Sequence, residues 1–174
     1  MPCVQASDEA EAQAAYMARK GLVDAVYTMD YDAFLFGSPP VVRRVGVDAA
    51  AGASLEDLLN RIGLTLPQLV DAAVLAGTDF NKGVRGVGMR TTVSLVRRYG
   101  CLEAVLEALN LPERGFLKVR RVFLRPDVAD AKFFFTAPNR QALRRFLREN
   151  HVKGAERFVK RLAGSQLKQA RLEW

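Results

Sequence analysis

The chain has 174 residues, 49% of them apolar and 26% charged, enough for one folded domain or a domain with an appended module. No apolar run approaches the roughly eighteen residues of a bilayer span, Met1–Glu11 does not read as a signal peptide, and Cys3, Cys101 and His151 are too few for a zinc site or disulfide framework and speak against a Ser-His-Asp hydrolase. The net charge of +7 conceals a split, because residues 1–81 hold five basic and eleven acidic side chains and residues 82–174 hold twenty-one basic and eight acidic.

A first helix is expected over Glu9–Lys20, stopped by Gly21, and Val23–Met29 has strand composition. A second strand, Val41–Val47, follows the turn Gly37-Ser38-Pro39-Pro40. Ser54 opens a helix with Leu55, Leu58, Leu59 and Ile62 on one face, ended by Gly63. Thr65 and Gln68 have capping-box spacing, with Pro67 in the first turn, for a helix through Ala76 that Gly77 ends. The segment G-V-R-G-V-G at 83–88 leads into a helix to Tyr99, and another spans about 102–109. Asn139 caps a helix with Leu143, Phe146 and Leu147 inward and Arg144, Arg145 and Arg148 outward. Ala155–Leu162 repeats the pattern, with Phe158, Val159 and Leu162 inside and Arg157, Lys160 and Arg161 outside. The tail after Gly164 is polar.

An acidic half followed by a basic half points to cation binding in the first and a polyanion, most readily nucleic acid, facing the second. The plain alternative is a basic surface that serves solubility. Five carboxylates stand at the ends of expected elements: Glu9, Glu11, Asp30, Asp32 and Asp79. Hard divalent ions take oxygen ligands, and two such ions roughly 4 Å apart can activate water and stabilise a leaving oxygen in phosphodiester cleavage. Other readings stay open on spacing alone. Asp8 and Glu11 fit a capping box, and Asp30 and Asp32 fit an exposed turn. Glu9 and Glu11, two apart, reach one site only if the helix begins between them.

Three ordered segments together resemble the flap endonuclease family of XPG-like structure-specific 5′ nucleases, in its archaeal form. They are A-S-D-E-A-E-A-Q-A-A-Y-M at 6–17, T-M-D-Y-D-A-F-L-F-G-S-P at 28–39 and L-A-G-T-D-F-N-K-G-V-R-G-V-G at 75–88. The resemblance implies an α/β fold: part of a PIN-like nuclease domain (1–79), a parallel sheet with flanking helices, then a helix-three-turn-helix DNA-binding region (80–164) and a tail (165–174). It implies that Glu9, Glu11, Asp30, Asp32 and Asp79 are catalytic and hold two Mg²⁺ ions, with Mn²⁺ as a substitute. It also implies that the carbonyls of Gly83, Val84 and Val87 hold a K⁺ ion against a duplex phosphate. Arg43, Arg85, Gly86, Gly88, Arg90, Arg97 and Arg98 would contact DNA. The implied partner is branched or flapped double-stranded DNA, met in replication and repair. The implied location is the cytoplasm, on the nucleoid of an archaeal-type cell, or the nucleus of a eukaryotic one.

The chain departs from the family pattern after the hairpin, where Met89-Arg90-Thr91 replaces Pro-Lys-Lys/Arg and one phosphate-binding cation is absent at Thr91. In the tail, Gln169 and Leu172 fit the start of a sliding-clamp (PCNA) motif, but Trp174 comes one position early. Nothing matches the family's N-terminal aspartates or its helical arch. The sequence therefore reads as the C-terminal half of a nuclease, either a truncated reading frame or one subunit of a split enzyme working with a separate N-terminal nuclease chain. An exposed apolar edge is expected at Val23–Met29. The competing reading is a non-catalytic duplex-binding module.

Overall fold

The computed structural model describes residues 2–45, 50–134 and 139–164. They form two compact units, Gln5–Asp130 and Met1–Val4 with Ala131–Trp174. In the first the order is α1 (Ala10–Arg19), β1 (Val26–Tyr27), α2 (Asp32–Leu35), β2 (Pro40–Val45), β3 (Ala50–Ser54), α3 (Leu55–Ile62), α4 (Leu66–Ala76), α5 (Met89–Tyr99), α6 (Leu102–Ala108) and α7 (Glu113–Leu124). The second carries α8 (Arg140–Glu149) and α9 (Ala155–Gly164).

The sheet has the order β1-β2-β3. β1 runs parallel to β2, with Val26 opposite Val41 and Tyr27 opposite Val42, so the α/β class and the parallel pairing are as expected. β3 is a surprise. It pairs antiparallel with β2 across an irregularity between Val42 and Arg44, although A-A-G-A-S has no β-branched residue to announce a strand. β1 is shorter than Val23–Met29 for a local reason. Leu22 N–H still donates to Met17 at the end of α1, and the turn at Asp30 takes the other end. Gly46 and Val47, the end of the second expected strand, lie outside the described residues.

The core of this unit is built around α4, whose sequence L-P-Q-L-V-D-A-A-V-L-A is apolar on nearly every side, as a central helix must be. Leu69, Val70, Ala72, Ala73, Val74 and Leu75 are buried, and α2, α5, α6 and α7 pack around them. The caps read from sequence for α3 and α4 are both made. Ser54 accepts from Asp57 N–H at 3.4 Å, and Thr65 and Gln68 complete their reciprocal box.

One charge sits inside this core. Asp71 of α4 is 1% exposed, forms a 2.7 Å ion pair with Nε of Arg120 on α7, and accepts the first amide of α6, Leu102 N–H, at 3.0 Å. Arg120 also reaches Glu103 at 2.7 Å, so one carboxylate ties three helices together. Burial is the main cause that raises Asp71 to about 6, against the opposing attraction of Arg120.

α7 was not expected from the sequence. Gly115 and a run of basic residues mask it, yet Pro112 is well placed at its N-cap, and Val119 and Phe123, four apart, bury on one face. In the second unit α8 pairs with α9, and Asn139 caps α8 by accepting from Ala142 N–H at 2.9 Å. Leu147 and Val159 are buried, but Phe146 and Phe158, expected inward, are 58% and 54% exposed. Two helices facing one another cover only a narrow stripe, and the aromatic rings fall at its margin. Glu156 joins the pair by bonding Arg148 at 2.7 Å and Arg144 at 3.1 Å. No single helix among the described residues is long and apolar enough to cross a membrane.

Candidate functional site

Five carboxylates from three separate stretches of chain line one cavity of about 130 Å³: Glu9, Glu11, Asp30, Asp32 and Asp79, with Phe36 and Phe80. The backbone explains each placement. Glu9 is the extended N-cap of α1 and makes no side-chain capping bond, while Glu11 is already in the first helical turn. The helix thus begins between them, which lets two residues of adverse spacing share a site. It also decides against the alternative reading of Asp8 and Glu11 as a capping box, since the N-cap is Glu9.

Thr28, just past β1, ties the next pair down. Its hydroxyl donates to Glu11 at 3.4 Å and accepts from Asp30 N–H at 3.1 Å. Asp30 in turn accepts from Asp32 N–H at 3.3 Å, an Asx turn that starts α2. Asp79 rides a tight turn closed by reciprocal Thr78–Asn81 backbone bonds of 3.0 and 3.1 Å. Asn81 anchors that turn to α4 by donating to the Val74 carbonyl at 2.7 Å. Behind the cavity the buried Phe123 ring packs on Phe36 (4.9 Å between centroids) and edge-on to Phe80 (5.4 Å).

The electrostatics follow from crowding. Asp32 is raised from 3.8 to about 6, first by burial and then by Asp30, Asp79, Glu11 and Glu9. Among the described residues, no three acidic, cysteine or histidine side chains close tightly enough to hold one ion. The mutual repulsion that raises Asp32 favours that spread. A pH-dependent result is expected. The folded state holds the Asp32 proton more tightly than the unfolded state, so the group's stabilising contribution is full below pH 3.8 and lost as pH rises through about 6. In metal-free buffer, Asp32→Asn should therefore melt above the wild type at pH 7.5, and the gap should close toward pH 4. Parallel melting curves at a series of pH values check this.

The glycine hairpin joins α4 to α5. Gly83 has φ +64°, and a Cβ there would stand 2.4 Å from the Ala76 carbonyl carbon and the Gly77 nitrogen. Its neighbour Val84 donates its amide to the Leu75 carbonyl at 2.7 Å, so the loop is pressed onto the end of α4. Val87 N–H closes the turn on the Val84 carbonyl at 3.0 Å. Gly88 then caps α5 without a side chain, which leaves amide N–H groups at the helix start open to an anion.

This arrangement matches known proteins. Residues 1–79 match the XPG I-region. The flap endonuclease 1 of Methanothrix thermoacetophila is 40% identical over 145 residues, 75% of this chain and 43% of that protein. The structure of flap endonuclease-1 from Methanococcus jannaschii superposes with a TM-score of 0.81 at 34% identity, over 94% of this chain and 52% of that one. This chain belongs to the flap endonuclease family. It spans about half the length of the curated relatives it matches. The fold also resembles that of human GEN1 in complex with Holliday junction DNA, with a TM-score of 0.70 and 27% identity over 87% of this chain and 44% of that one.

The arginines of this flap endonuclease relative divide by their partners. Arg85 within the hairpin and Arg90 just after it are exposed and without an ion pair among the described residues. Arg97 instead donates to the Ile62 carbonyl at the end of α3, and Arg98 lies 5.3 Å from the centre of the Tyr99 ring. Arg43 donates to the Met29 carbonyl at 2.8 Å and to the Tyr31 hydroxyl, with its guanidinium 4.2 Å from that ring's centre. It thereby holds the loop that carries Asp30 and Asp32. Gln169 and Leu172 lie outside the described residues. Sequence reasoning missed Thr28, Asn81 and the aromatic trio of Phe36, Phe80 and Phe123. Only the Thr78/Asn81 spacing hinted at the stapled turn.

Proposed function

We propose that this chain provides the carboxylate cavity and duplex-binding hairpin of a structure-specific 5′ flap endonuclease and 5′–3′ exonuclease. The observation that carries this reading is the meeting of five carboxylates, from three distant segments, in one small cavity beside a glycine hairpin. The donor set suits a hard divalent ion, since every ligand is a carboxylate oxygen and the cluster is overcharged without a cation. Glu9, Glu11, Asp30, Asp32 and Asp79 would hold two Mg²⁺ ions, or Mn²⁺. Bound there, such ions activate a water and stabilise the oxygens of a phosphodiester displacement.

The chain's own residues do the rest. The Thr78–Asn81 turn and the Thr28 hydroxyl fix where the acids stand, so little reorganisation is needed when a phosphodiester arrives. Phe36 and Phe80 wall the cavity and limit the water that enters. The Gly83–Gly88 backbone and the start of α5 receive a duplex phosphate, the Gly83, Val84 and Val87 carbonyls would hold a K⁺ ion beside it, and Arg85 and Arg90 add a salt-dependent attraction without reading sequence. Further acidic ligands come from an N-terminal nuclease segment, and Gln169 and Leu172 engage a sliding clamp. The junction DNA held by the GEN1 relative supports a branched substrate.

The test is a labelled 5′ flap incubated with the chain and Mg²⁺, with and without the N-terminal half of an archaeal relative. The chain should bind the flap at low salt, cut it weakly alone, and cut it faster with the second chain present. Failure to bind branched DNA at low salt would overturn the reading. Binding without cutting in either mixture would leave a duplex-binding module instead.

A further inference from the structure

α7, the helix that the sequence conceals, connects the two parts of the site. Near its start Pro112, Gly115 and Phe116 share a groove with Lys82 and Gly83 of the hairpin. Toward its end Lys118, Arg121 and Arg125 line a second pocket together with Asp8 and with Glu9, which also lines the carboxylate cavity. Arg114, Lys118, Arg121 and Arg125 follow one another at spacings of four, three and four, so they form one stripe along the helix. It covers about 16 Å of helix axis. All four are exposed, and none makes an ion pair among the described residues, although Arg120 on the neighbouring face is committed to Asp71 and Glu103.

Two ordinary explanations fall short. Cations near a helix C-terminus complement its dipole, which accounts for Arg121 and Arg125. It does not account for Arg114, which sits in the first turn, where a positive charge is unfavourable. Local neutralisation fails as well, since Asp8, Glu9 and Asp127 share the pocket yet pair with none of the three cations that line it. The site is arranged to attract an anion longer than one phosphate.

We infer that the α7 stripe is a second nucleic-acid-binding surface, which takes the phosphodiester backbone of a single strand and leads it to the Glu9 side of the carboxylate cavity. A single strand is the occupant because the cavity at its end holds about 130 Å³. That is the space of about four waters, which admits one phosphodiester and no duplex. The stripe is also one helix wide, matched to one backbone rather than two. This inference rests on the nuclease reading above.

The test is equilibrium binding of the whole chain to three labelled DNAs in EDTA: a blunt duplex, a single strand, and a duplex with a 5′ single-stranded branch. The variant Lys118→Ala/Arg121→Ala/Arg125→Ala should lose at least about ten-fold in affinity for the single strand and the branched DNA, and less than about two-fold for the blunt duplex. Its log-affinity against log-salt slope on the single strand should fall by about two, at roughly 0.7 for each lost phosphate contact. Arg85→Ala/Arg90→Ala should show the reverse preference. Melting curves confirm that the variants fold, and Lys118→Arg/Arg121→Lys/Arg125→Lys should bind as the wild type does. Unchanged single-strand binding by the triple-alanine variant, or an equal loss on the blunt duplex, overturns the stripe. A wild-type chain that binds none of the three DNAs at low salt overturns the nuclease reading itself.

Discussion

Replacing Gly83 with alanine should cost on the order of 3 kcal/mol of stability and abolish duplex binding together. Two effects add. The residue sits at φ +64°, where an L side chain costs about 1–2 kcal/mol. The larger effect is steric, because the new methyl would stand 2.4 Å from the backbone of Ala76 and Gly77, which cannot rotate aside as a flexible side chain would. Relief requires the loop to lift from α4, and that breaks the 2.7 Å bond from Val84 to Leu75. Gly86→Ala is the control. Its φ of +77° is similar, but nothing lies within 4 Å, so only the conformational cost of about 1–2 kcal/mol should appear. Urea unfolding of both variants, read beside duplex binding, separates backbone strain from collision.

The second large effect concerns Arg120. Arg120→Met should lower stability by about 3–5 kcal/mol at pH 8, because it strands the Asp71 carboxylate inside the core. The loss should shrink in acid. Asp71 is already raised from 3.8 to about 6 by burial, and removing the arginine that opposes this shift raises it further. The folded variant then takes up its proton at a higher pH than the folded wild type does, so its deficit relative to wild type narrows as pH falls toward 6 and stays constant below it. Adding Asp71→Asn to Arg120→Met should recover most of the loss at pH 8. Chemical denaturation at pH 8 and pH 5 checks both statements. An equal deficit at the two pH values would mean that Arg120 acts by packing rather than by charge.

Short-range chemistry made much of this fold legible. Ser54, Thr65 with Gln68, and Asn139 were readable as caps because capping depends on residues three apart, and each makes its bond. What depended on distant partners was hidden. β3 exists because β2 lies beside it, α7 because α4 offers Val119 and Phe123 a core to enter, and Phe146 and Phe158 stay exposed because the packing of α8 on α9 buries only the stripe that holds Leu147 and Val159. The site divides in the same way. The acids were visible as residue types at element ends, and the order of three motifs gave the family. Spacing alone left Asp8 and Glu11 open as a cap, and only the start of α1 between Glu9 and Glu11 decided it. The stapled Asp79 turn and the aromatic wall behind it required the packed chain.

The proposed function requires acids far apart in sequence to bind divalent cations together. Titrating the chain with Mn²⁺ and following the free ion by electron paramagnetic resonance tests it directly. Asp30→Asn and Asp79→Asn, each alone, should weaken Mn²⁺ binding at least about ten-fold, and Glu56→Gln, on the exposed face of α3, should leave it unchanged. Mn²⁺ binding that is the same in the wild type, Asp30→Asn and Asp79→Asn would contradict the account.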